Sequence, residues 1–84
     1  MMIRTVGRNS LVPLNALRPG EVGIVQSLHG GRGFVSRLAS LGFTPGVQVM
    51  MIQNFGHGPL IVLIRDTRVA LGRGEAGKIL VMRG

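Results

Sequence analysis

Phe34-Val35-Ser36-Arg37-Leu38-Ala39-Ser40-Leu41-Gly42-Phe43-Thr44-Pro45-Gly46-Val47-Gln48-Val49-Met50-Met51-Ile52-Gln53 is the stretch on which the fold turns. Phe34, Leu38 and Leu41 fall at i, i+4 and i+7, which places them on one face of a helix over about 34–41. Gly42 suits the left-handed residue that ends a helix, and Phe43 just beyond it can fold back on the last turn. Thr44-Pro45-Gly46 is a turn with Pro at i+1 and Gly at i+2. Val47, Val49 and Ile52 then make a strand of residues 47–53.

Outward from this core the pattern repeats in a weaker form. Arg18-Pro19-Gly20 is the same kind of turn, and it also precedes a β-rich run, residues 21–28. Inside that run Gly23 suggests a bulge or the close approach of another backbone. Upstream, Leu11 to Leu17 fits one short helical turn with Pro13 near its start. Downstream, residues 54–59 form a loop, and Leu60-Ile61-Val62-Leu63-Ile64 is a continuously apolar strand expected to be the most buried. Asp66-Thr67 can turn a hairpin into a strand over 68–71. Residues 72–77 are glycine-rich and read as a loop before a last strand, residues 79–82. Residues 1–10 show no period and read as a flexible N-terminal arm, leaving 11–84 as a single domain. Five short strands and one helix cannot leave both faces of an open sheet wet, so a small closed barrel without edge strands is the economical solution.

Composition narrows the function. The chain has 84 residues, 45% hydrophobic and only 15% charged, against about 25% charged in typical soluble domains. With 14 Gly it is turn-rich, and a domain this short hides only about 60% of its unfolded surface. There is no Cys, which excludes a disulfide framework, thiolate metal sites and a Cys nucleophile. No apolar run approaches the roughly 20 residues of a membrane span, and the N-terminal residues make no signal-peptide core. A cytoplasmic location without direct membrane insertion is the expectation.

The net charge is +7. It is spread evenly along the chain, with no dense basic stretch. Three Phe and no Trp or Tyr offer little for base stacking, so nucleic acid is a disfavoured partner.

Several motifs match letters without matching mechanism. Gly72-Arg73-Gly74-Glu75-Ala76-Gly77 fits G-x-G-x-x-G, yet the chain ends before the helix and distant acidic residue that dinucleotide binding needs. Gly77-Lys78 nearly completes a P-loop, but Ile79 stands where a hydroxyl must ligate magnesium. Gly30-Gly31-Arg32-Gly33 fits the GXXG clamp of KH domains, and in so glycine-rich a chain a plain connection is the better reading. Only Glu21, Asp66 and Glu75 are acidic, and neither His sits near one in sequence, so no catalytic set forms and the chain is not expected to be an enzyme. No cofactor is required. His29 and His57 are the candidate ligands should a divalent transition metal, Fe(II) or zinc, be held; their spacing is not that of a tight metal motif.

The order of these elements resembles the ferrous iron transport protein A (FeoA) family. The matching residues are Leu14, Leu17, Pro19-Gly20-Glu21, Gly23 and Val25. Next come Arg37 to Gly42 with Phe43, Pro45-Gly46-Val47 and Val49, then Gly58-Pro59-Leu60 and Val62. The last stretch is Val69 to Gly74 with Ala76, Ile79 and Val81. The combination is more specific than any piece. The resemblance implies an SH3-like five-stranded barrel with the helix inserted after the first strand. It also implies a small cytosolic accessory of bacterial ferrous iron uptake, working at the inner face of the membrane beside a FeoB-type membrane GTPase transporter. A homo-oligomer stays open. So do two other classes, a transition-metal-binding module and a basic SH3-like nucleic-acid binder. Arg37, Phe43 and Phe55 are the candidate partner-binding residues, because aromatic and Arg side chains dominate binding hot spots. Both Phe read equally well as core.

Overall fold

The structure, a computed structural model, describes residues 10–83. The expected arm therefore lies outside the described residues except for Ser10, whose carbonyl accepts the Arg83 N–H at 2.9 Å. In chain order the elements are β1 (Leu11–Pro13), a 3-10 turn (Leu14–Ala16), β2 (Val22–Leu28), α1 (Arg32–Ser40), β3 (Gln48–Gln53), β4 (Leu60–Ile64), β5 (Thr67–Leu71), α2 (Arg73–Ala76) and β6 (Ile79–Arg83). All six strands belong to one antiparallel sheet in the order β1-β6-β2-β3-β4-β5.

The chain is mainly β, as expected, but with six strands rather than five. The extra one is β1. The sequence predicts a helical turn over Leu11 to Leu17, but the turn occupies only Leu14–Ala16 and Leu11–Pro13 is a strand. Pro13 fits both places, because an outermost strand tolerates a missing N–H as well as a helix start does. Nor do the hydrogen bonds close into a ring: among the described residues β1 and β5 are the two ends of the ladder.

The helix ends as the sequence predicts. Gly42 has φ +109°, the Gly42 N–H reaches Ala39 O at 3.0 Å and the Phe43 N–H reaches Leu38 O at 3.0 Å. These are the two bonds of a Schellman cap. They turn Phe43 inward, where it is fully buried with Leu38 in the core. Phe43 is thus a core residue and not part of any exposed surface, which corrects one of the two aromatic candidates.

Both Pro-Gly turns form as predicted, with Gly20 at φ +89° and Gly46 at φ +94°. Each is closed by an i to i+3 bond, Glu21 N–H to Arg18 O at 2.9 Å and Val47 N–H to Thr44 O at 3.1 Å. They also lock β2 to β3 reciprocally. Gly20 N–H donates to Met51 O and Gly46 N–H donates to Val25 O, both at 2.8 Å; Met51 N–H and Val25 N–H return to Glu21 O and Val47 O, both at 2.9 Å. The acceptor of each glycine N–H is the fifth residue beyond the other turn's glycine. The similarity between the two Pro-Gly segments is therefore a local two-fold arrangement in space.

Alternation does the rest. Val25, Val49, Met51, Leu60, Val62, Ile64, Leu71, Ile79 and Val81 point inward and are buried. The run Leu60–Ile64 obeys the same period of two, with Ile61 and Leu63 only half-buried on the outer face, so it is not buried on both sides. Bulges between Val25 and Ser27, against β6, and between Met51 and Gln53, against β4, add the twist that curls the sheet around this core. Gly23 lies before the first bulge; its need for glycine comes from a side chain, since a Cβ there would stand 2.9 Å from Val81 Cγ2. The β4–β5 turn falls on Arg65 and Asp66, one residue earlier than predicted, with φ +49° and +63°.

Phe43→Ala should cost about 3–5 kcal/mol in urea unfolding, the range for emptying a buried aromatic site, whereas Phe55→Ala should stay within about 0.5 kcal/mol. Equal losses from the two substitutions would contradict the assigned burial.

Candidate partner-binding surface

Phe55 is 70% exposed, the most exposed large apolar side chain among the described residues. It stands in the loop between β3 and β4, flanked by Asn54 and by Gly56 at φ +86°. A loop of this composition could be loose, but three polar groups hold it. Asn54 Nδ2 donates to Asn15 O at 3.0 Å and to Leu17 O at 2.8 Å, clamping the loop to the 3-10 turn. Asn54 Oδ1 accepts from Gly56 N–H at 3.1 Å, closing an Asx turn around Phe55. Arg73 Nη2 donates to the same Oδ1 at 2.9 Å, and its Nη1 donates to Gly58 O at 3.2 Å.

Arg73 opens α2, a single helical turn where the sequence predicts a loop. Gly74 inside it argues against a helix on propensity. The turn forms because the Glu75 carboxylate reaches back to Gly72 N–H at 3.1 Å, half of a capping box in which Gly72 has no side chain to return the bond. The other Glu75 oxygen pairs with the guanidinium of Arg37 on α1. One short turn therefore links two of the predicted residues: Glu75 holds Arg37 on one side, and Arg73 braces the Phe55 loop on the other. Asn54 and Arg73 are the positioning residues missed by sequence reasoning. An Asn just before an aromatic and a glycine is a recognisable Asx-turn signal for the first. The second has no local signal, since its partners are 15 and 19 residues away.

The hydrogen bond from Gly72 N–H holds the Glu75 carboxyl below the usual carboxylate range, outweighing desolvation, which acts in the opposite direction; the charge and hydrogen bond of Arg37 and then the charge of Lys78 add smaller downward contributions. His29 and His57 are not brought together with a third ligand: among the described residues no three His, Cys, Asp or Glu side chains converge. His29 Nε2 lies 2.9 Å from Ser27 Oγ, and His57 is exposed in the Phe55 loop. No described helix is long and apolar enough to cross a membrane.

The FeoA domain model matches residues 12–83, from β1 through β6. The chain belongs to the FeoA family. A Methanocaldococcus jannaschii protein assigned as Fe(2+) transport protein A is 37% identical over 71 residues, covering 84% of this chain and 85% of that one. The crystal structure of an iron uptake regulatory protein, FeoA, superposes with TM-score 0.84 at 35% identity, covering 89% of this chain and all of the other. Stenotrophomonas maltophilia FeoA, solved with zinc and described as a procaryotic SH3 domain protein, superposes with TM-score 0.72 at 33% identity, covering 81% and 86%. The SH3-like class expected from the sequence is the fold of the family.

Because the Glu75 carboxyl has its folded value depressed, its contribution to stability is complete above the ordinary carboxylate range and is lost as pH falls through the folded value. Glu75→Gln should therefore lower the melting temperature at neutral pH and change it little at acid pH, where the native carboxyl is itself protonated, so that the acid limb of the profile is flattened. An unchanged acid limb would show that the Arg37–Glu75–Gly72 linkage is not formed in solution.

Proposed function

We propose that this FeoA-family chain is a cytoplasmic accessory of ferrous iron uptake that docks on a FeoB-type membrane GTPase transporter and modulates transport. The surface we assign to docking is the Phe55 loop with the α2 turn and Arg37 beside it. The observation that carries this reading is the combination of exposure and restraint at Phe55. A 70% exposed aromatic costs hydration when free, and here it is held out by Asn54 and Arg73 rather than left to collapse onto the core. A held aromatic anchor loses less conformational entropy on binding, so more of its burial appears as affinity. Arg37 adds a charged group at the edge of the same surface, 52% exposed even in its ion pair. No reacting group is needed for this role. Docking of a protein segment uses apolar contact, hydrogen bonding and charge.

The test is capture by the tagged chain from detergent-solubilised, nuclease-treated membranes, with bound proteins identified by mass spectrometry. The FeoB-type transporter should be recovered by the unaltered chain. Phe55→Ala should weaken that capture by about 30-fold or more while leaving the melting temperature unchanged, in keeping with a loss of at least about 2 kcal/mol at a hot spot. Asn54→Ala keeps the aromatic but frees its loop, and should give a smaller loss. Full recovery by Phe55→Ala would remove this surface from docking. Recovery of ribosomal proteins that vanish on nuclease treatment would instead point to the nucleic-acid reading of the +7 charge.

A further inference from the structure

We propose that the outer edge of β5 is a strand-addition site for an extended, acidic segment of a partner protein. The inference stands apart from the Phe55 surface and uses different groups. It begins with the ladder. Ile64 and Thr67 flank a two-residue turn with both central residues at positive φ, so they form the first hydrogen-bonded pair of the β4–β5 hairpin. The pairs then alternate: Val62–Val69 and Leu60–Leu71 are bonded, while Leu63–Arg68 and Ile61–Ala70 are not. The N–H and C=O of Arg68 and Ala70 therefore point away from β4. Among the described residues no strand lies on that side. Thr67, Arg68 and Ala70 are all exposed there.

The two ends of the sheet are not equivalent. At the other end β1 is three residues long and contains Pro13, two features that discourage strand addition. β5 has five residues, no Pro and no bulge. What selects its occupant is charge. Arg68 sits on the outer face of the free edge, whereas the side chain of Arg65 at the hairpin turn is directed toward Gly42. Asp66 is the one acidic group nearby in the chain, and the molecule as a whole carries +7. A second copy would bring another +7 against this edge, whereas an acidic strand would place a carboxylate beside Arg68. Alternation sets the rest of the ligand: acidic residues on the outer face beside Arg68 and Ala70, apolar ones on the inner side beside Val69 and Leu71. Main-chain bonds would then give affinity and the alternate side chains selectivity.

The probe is a synthetic ten-residue peptide alternating Glu and Val, compared with one alternating Lys and Val. Amide NMR of the full chain should show the Arg68 and Ala70 N–H groups slowed in hydrogen exchange by about tenfold or more with the Glu peptide, and unchanged with the Lys peptide. Ala70→Pro, which removes one outward N–H, should abolish that protection. Arg68→Glu keeps the backbone intact and should reverse the preference between the two peptides, so the proposal stays testable even where the Pro variant misfolds. Phe55→Ala should bind the Glu peptide as the unaltered chain does, which separates failure here from failure of the docking surface. Protection confined to other amides, no protection at saturating peptide, or a β5-mediated dimer of the chain in sedimentation would each overturn the proposal.

Discussion

The two Pro-Gly turns fix the molecule, because each is hydrogen-bonded to the fifth residue beyond the other. Four bonds of 2.8–2.9 Å join Gly20 and Glu21 to Met51, and Gly46 and Val47 to Val25. A strand pair held at both ends by rigid turns has no freedom to slip. A slip of one residue would expose Val25, Val49 and Met51 and bury Ile24, Gln48 and Met50 instead. The remaining strands are added to this fixed pair, β6 and β1 on one side, β4 and β5 on the other. Between the two arms of the pair lies α1, and its Gly42 cap converts the helix end into the entry to the second turn. Phe43 is buried because the cap leaves it no other direction.

The parts of this fold legible in the sequence are the ones set by local chemistry. Gly42, Pro19-Gly20 and Pro45-Gly46 each demand a backbone conformation that few other residues adopt, and each takes it. The period of two in β2 to β6 follows from one-sided burial and is equally visible, apart from Leu60–Ile64, where apolar residues on the outer face masked it. What escaped is what only long-range contact creates. β1 exists because Leu11–Pro13 finds β6 at Leu80 to Met82. The α2 turn exists because Glu75 caps it and Arg37 holds Glu75 from 38 positions away. The candidate surface shows the same division. Phe43 and Phe55 each stand beside a glycine and read equally well as core or surface; the structure separates them, since Gly42 ends a helix and turns Phe43 inward, whereas Gly56 closes an Asx turn that leaves Phe55 exposed.

Polar side chains here work chiefly as braces. Among the described residues no polar or charged side chain is fully buried. Yet Asn54 bonds to two carbonyls of the 3-10 turn region, Arg73 to two points of the Phe55 loop, and Arg83 Nη2 to Ala16 O at 2.7 Å. Arg73 ties α2 to the loop that Asn54 holds, and Asn54 and Arg83 tie that loop and a terminal strand to the segment around Leu14–Leu17. That segment is itself anchored by the fully buried Leu14 and Leu17. A core of few residues thus extends its rigidity outward to glycine-rich loops that could not order themselves by packing.

This arrangement also explains how a domain with 45% hydrophobic residues and few charges can present distinct surfaces. Curling by two bulges buries one face of the sheet, while the other keeps Ile24, Met50 and Leu63 half-covered by one another. Such a face has apolar area but no anchor that projects, and specificity needs projection or direction. Projection is supplied by Phe55, raised on a braced loop. Direction is supplied by the backbone at β5, whose outward N–H and C=O groups are fixed by the same hairpin register that buries Val69 and Leu71. Because the ladder stops at β5 instead of closing onto β1, the step that completes the core also leaves one ordered row of donors and acceptors facing solvent, with Arg68 setting the sign of the charge beside it.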